Sequence, residues 1–79
     1  MNREQTGKLL ALIASFDNRK IEAEHVIAWH AILEPHDLDV CQQAVLWHYR
    51  DTTDWLMPAH IVASVRRRDP GNAWKHPDL

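Results

Sequence analysis

Glycine is confined to positions 7 and 71, and proline to positions 35, 58, 70 and 77. A many-stranded sheet needs turn residues every few positions, and this chain does not supply them. Between the breaks, apolar residues recur at helical rather than alternating spacing. The predicted fold is therefore all-α, a small bundle of about four helices over residues 1–69, followed by a short flexible tail over 70–79. With 79 residues, such a chain buries only about 60–65% of the surface exposed when unfolded, enough for one modest core.

The helix limits follow from local chemistry. Asn2 with Gln5 three positions later has the form of a capping box, which predicts a first helix from Arg3 to Phe16. Leu9, Ile13 and Phe16 fall on one stripe flanked by Leu10 and Leu12. Asp17, Asn18 and Arg19 read as a turn. A second helix is expected over Glu22 to Leu33, with Val26, Trp29 and Leu33 inward and Glu34-Pro35 stopping it. Asp37 suits the N-cap of a third helix reaching Tyr49, its carboxylate accepting from the first-turn amides. Cys41, Ala44, Val45 and His48 form that helix's inner stripe, and Leu46 is an apolar residue on its polar side. After a polar loop from Asp51 to Asp54, Pro58 is pre-organised for the first turn of a fourth helix. Ile61, Val62 and Val65 supply its buried stripe, and Asp69-Pro70-Gly71 ends it. Trp29 and Trp55 are expected in the core, with Trp47 at its edge.

Several function classes lose support at once. The longest apolar run, Leu9 to Ala14, is far short of the ~18 residues of a membrane span. Met1 to Gln5 has neither the basic start nor the apolar stretch of a secretory signal, and a single cysteine forms no intrachain disulfide. The expected location is cytoplasmic. The net charge of −2 does not mark a general polyanion binder. It is uneven, however: the first 40 residues net −3 and the remainder +1, with Arg66, Arg67 and Arg68 adjacent.

Six histidines invite a metal site, but their spacing does not make one. His25 and His30 diverge by about 140° on a helix, and His36, His48, His60 and His76 lack a cysteine or carboxylate at ligand spacing. Neither a phosphate-binding glycine loop nor a nucleophile set between base and oxyanion donors is present. Cys41 with His48 is the one conceivable nucleophile and base, and a cysteine on a buried stripe is inert. The expectation is a protein without enzymatic activity, metal or cofactor.

What remains are surfaces. Arg66, Arg67 and Arg68 either contact phosphates or an acidic partner, or simply complement the carbonyl end of their helix. Trp74, with Lys75 beside it in a polar tail, either anchors a partner or folds back on the bundle. Leu46, Trp47 and Arg50 form a possible secondary surface.

The order Trp29-x-x-x-Leu33, Ala44-Val45-x-x-His48-Tyr49 and Trp55-x-x-Pro58-Ala59-x-Ile61, followed by a basic helix end, resembles small bacteriophage proteins that load and inhibit the replicative DNA helicase. The similarity covers about residues 8–68. It implies a helical amino-terminal domain with a flexible carboxy-terminal segment, binding a hexameric helicase and delivering it to an origin-bound initiator protein. It implies no activity or cofactor of its own. The tail from Asp69 to Leu79 is shorter than the family's segment, so binding or inhibition without loading is equally open.

The expectation is thus a phage replication accessory protein that binds a replicative helicase through Arg66, Arg67, Arg68, Trp74 and Lys75. The alternatives are a nucleic-acid-binding bundle using the arginine cluster, and a self-associating module using Leu46 and Trp47. Weak or no direct nucleic-acid binding and no small-molecule substrate are expected under the leading reading. Protonation of the histidines would reverse the sign of the net charge in acid.

Overall fold

The computed structural model describes residues 1–68, and the expected tail over 70–79 lies outside them. Among the described residues the chain forms four α-helices: α1 Arg3–Asp17, α2 Ala23–Leu33, α3 Leu38–Asp51 and α4 Pro58–Arg68. The all-α bundle read from the sequence is the observed fold. Helix α1 packs on α2 and α3, and α4 packs on the same two helices from the opposite corner. The diagonal pairs do not meet.

Helix α1 begins as its sequence dictates. The Gln5 amide donates to Asn2 Oδ1 at 2.8 Å and the Asn2 amide donates to Gln5 Oε1 at 2.9 Å, the reciprocal box. It ends at Asn18, whose φ of 59° places it in the left-handed region, a conformation asparagine tolerates better than most residues. The Asn18 N–H closes the last turn on the Ala14 carbonyl.

Helices α2 and α4 share an unexpected cap. The Glu22 amide donates to Nδ1 of His25 at 2.9 Å, and the Met57 amide donates to Nδ1 of His60 at 2.8 Å. Each histidine occupies the position three residues on where a capping box usually carries Glu or Gln. Helix α2 starts at Ala23, one residue later than its spacing predicts, and α3 runs on to Asp51 rather than stopping at Tyr49. Asp37 caps α3 with extended backbone, but its side chain makes no capping bond, contrary to expectation. The Asp37 carbonyl instead receives the Cys41 amide at 3.1 Å.

The core draws on all four helices and the loop before α4: Leu9, Leu10, Ile13, Trp29, Leu33, Cys41, Ala44, Val45, Leu56, Ile61 and Val65 are buried. Two aromatic assignments need correction. Phe16 is 51% exposed and Trp55 54% exposed: Phe16 lies in the last turn of α1, where among the described residues only Tyr49 stacks on it, and Trp55 lies in the loop before α4 and is no part of a helix stripe. His48 is half-buried rather than a core residue. Its Nε2 does bond a backbone carbonyl, that of Asp54, at 2.7 Å, as expected of a satisfied histidine.

Candidate protein-interaction site

The turn after α1 builds a surface held by several side-chain hydrogen bonds. The left-handed Asn18 reverses the chain so that the Arg19 amide falls 3.1 Å from Asp17 Oδ1, an Asx turn. The Arg19 side chain then folds over the same carboxylate, with Nε at 2.9 Å and Nη2 at 2.5 Å from Oδ2. Tyr49, on α3, donates its hydroxyl to that oxygen at 2.5 Å. The Arg19 and Asp17 side chains are only 9% and 11% exposed.

Opposing forces set the charge states here. Burial disfavours ionised Asp17, yet the hydrogen bonds from Arg19 and Tyr49 outweigh it and hold the carboxyl below its ordinary value. Burial, reinforced by the bond to Asp17, pushes the Tyr49 phenol above its ordinary value. Asp17 and Arg19 are therefore both ionised and Tyr49 is neutral at neutral pH.

Aromatic rings extend this network outward. The Arg19 guanidinium carbon lies 4.0 Å from the Trp55 ring centroid and 5.6 Å from that of Trp29, within cation–π range. On the other side Phe16 stacks on Tyr49 with centroids 5.1 Å apart. A line thus runs Phe16, Tyr49, Asp17, Arg19, Trp55, with a nearly buried ion pair at its centre and large exposed rings at its ends. Met57, 47% exposed, adjoins Trp55 around a depression of about 300 Å³ lined also by Leu10, Ile21, Trp29 and Lys20.

The surfaces singled out in the sequence are placed differently. Arg66 and Arg67 are exposed at the end of α4, while the Arg68 side chain, Trp74 and Lys75 lie outside the described residues. Leu46 is 43% exposed, Trp47 is half-buried, and exposed Arg50 pairs with Asp51 at 3.0 Å. The structure brings together two groups the sequence kept apart: Trp47 and Arg67 line one depression of about 200 Å³ between α3 and α4, with His48, His60 and Ser64. The rings of His48 and His60 sit 4.9 Å apart there. No group of three or more metal-ligating side chains occurs among the described residues. Burial pushes the Cys41 thiol up to about 11, so it stays protonated and unreactive at neutral pH.

Sequence reading missed the Arg19 line. Asp17 to Arg19 registered only as turn chemistry, and the partners Tyr49 and Trp55 lie thirty or more positions away. The one available signal was the excess of aromatic residues over what so small a core can hold. No family model, curated protein or solved structure matches this chain.

Proposed function

We propose that this chain is a non-enzymatic protein-binding bundle whose partner is a replicative DNA helicase. The observation that carries the binding role is the Trp55–Arg19–Asp17–Tyr49–Phe16 line. Tryptophan, tyrosine and arginine are the residues that dominate binding energy at protein interfaces, and here the exposed rings of Trp55 and Phe16 are backed by half-buried Tyr49 and by a nearly buried ion pair. Among the described residues, seven large apolar side chains are exposed by 40% or more, and Trp55 and Met57 adjoin one another around one depression rather than lying scattered. Support for a helicase in particular comes from the resemblance of Trp29 to Leu33, Ala44 to Tyr49 and Trp55 to Ile61 to the phage helicase-binding proteins. The basic end of α4 and the segment over 70–79, with Trp74 and Lys75, complete the contact surface in this reading.

The test is co-elution of the full chain with a purified hexameric replicative helicase. Trp55→Ala is expected to weaken the complex at least about tenfold, and deletion of residues 70–79 to weaken it further. An undiminished complex in both variants would remove these surfaces from the contact.

A second reading, phosphate binding by Arg66, Arg67 and Arg68, is favoured by the exposure of the first two at one helix end. It requires duplex affinity that falls with salt by a log-log slope of about −0.9 per neutralised phosphate. Salt-independent or absent DNA binding disposes of it.

A further inference from the structure

Helix α2 is apolar on more than its core side. Its eleven residues, AEHVIAWHAIL, carry polar side chains at Glu24, His25 and His30 alone. Apolar residues outside the core stripe of a helix call for a second neighbour, yet among the described residues α2 packs on α1 and α4 from one side. Trp29 and Leu33 are buried and Val26 is half-buried, whereas Ile27 and Ile32 are 52% and 51% exposed and Ala28 and Ala31 lie exposed between them.

We propose that this outer face of α2 pairs with the same face of a second copy of the chain, antiparallel about a two-fold axis level with the midpoint between Trp29 and His30. Between residues 27 and 32 the exposed positions read Ile-Ala-x-x-Ala-Ile, which is symmetric about that midpoint. At about 100° and about 1.5 Å per residue, Ile27 and Ala31 lie toward one edge of the face, and Ala28 and Ile32 toward the other. An antiparallel two-fold brings Ile27 over Ala31 of the second copy and Ile32 over Ala28 of the second copy, within about half a helical turn of level. Each large side chain meets a small one four times over, which is the self-complementarity an isologous interface demands. Glu24, the charge on this face, falls level with Pro35 of the second copy rather than with its own equivalent. Four side chains a side are far fewer than the about 20–30 residues of a standard stable interface, so the pairing is reversible and concentration-dependent. It uses neither the Trp55 surface nor the Leu46 and Trp47 surface, and it does not rest on the proposed partner.

Sedimentation equilibrium of the full chain from micromolar to millimolar concentration tests the inference. The molecular weight is expected to rise from monomer toward dimer and no further. Ile27→Glu and Ile32→Glu are expected to remain monomeric throughout, with unchanged helical circular dichroism. Ala28→Leu separates knob-into-hole pairing from general apolar adhesion: it adds apolar surface but fills the hole for Ile32, so the dimer dissociation constant should rise about tenfold or more. Leu46→Glu should dimerise like the parent. A parent chain monomeric at every concentration overturns the inference. So does a dimer that survives both glutamate variants, or one that Ala28→Leu strengthens.

Discussion

The hydroxyl of Tyr49 donates a 2.5 Å hydrogen bond to Oδ2 of Asp17, the oxygen that also receives Nε and Nη2 of Arg19. One carboxylate atom thereby ties the α1–α2 turn to the last turn of α3. Tyr49→Phe removes one charge-assisted bond and should cost about 1.5–2 kcal/mol. Asp17→Ala leaves Arg19 without its counter-ion in a 9% exposed position and should cost more, about 3 kcal/mol. Because the folded Asp17 carboxyl is held below its ordinary value, its contribution is complete above about pH 4. It is lost as pH falls through the lowered folded value. Urea midpoints measured down to acid pH should show this loss in the parent, and Asp17→Asn should lack it.

The histidine caps are testable by substitution. Nδ1 of His25 accepts from the Glu22 amide and Nδ1 of His60 from the Met57 amide. Each cap is expected to contribute about 0.5–1.5 kcal/mol. His25→Ala and His60→Ala should each lower stability, read from the urea midpoint, by that amount, whereas His25→Gln and His60→Gln, which restore the usual side chain of a capping box, should keep most of it.

Two tryptophans reach toward the same guanidinium with unequal consequence. Trp29 is 7% exposed, and Trp29→Ala should cost about 3–5 kcal/mol through the cavity it opens. Trp55, more than half exposed, should cost about 1 kcal/mol, largely its cation–π contact. Chemical denaturation of both variants checks the contrast. Equal losses would show that Trp55 is a structural residue rather than an interface one.

Gly7 sits inside α1 with nothing within 4 Å of where a Cβ would lie. Gly7→Ala should therefore stabilise the chain by about 0.5–1 kcal/mol, by restricting the unfolded state and restoring helix propensity. A higher denaturation midpoint with an unchanged slope is the expected readout.

Cys41 is fully buried, with its thiol pushed up to about 11 by burial. Under native conditions at mildly alkaline pH, a thiol reagent should react no faster than the chain opens, and at once in denaturant. Fast native labelling would contradict the burial.

Much of this fold could be read along the chain because its determinants are local. Asn2 with Gln5, Pro58 at the first turn of α4, and the stripes through Leu9 and Ile13 or Ile61 and Val65 all act within a few residues. Phe16 and Trp55 escaped the same logic. Periodicity tells which side of a helix is apolar but not how far its last turn is covered, and it says nothing of a loop residue such as Trp55. Arg19 escaped for a different reason: its role depends on Tyr49 and Trp55 arriving from distant elements. His25 and His60 were weighed as metal ligands, and the possibility that an imidazole replaces the usual glutamate of a cap was overlooked. The outer side of α2 was passed over because its inward stripe already accounted for a helix. Only the three-dimensional packing leaves Ile27 and Ile32 uncovered.

The stacking of Trp55 on Arg19 has a kinetic corollary. The indole is restrained when the chain folds, so its rotamer freedom is not given up at the moment of encounter. In the proposed complex, docking on this ring then requires no preceding rearrangement of it. Its observed rate should climb linearly with partner concentration in a single exponential phase, limited by collision and orientation alone.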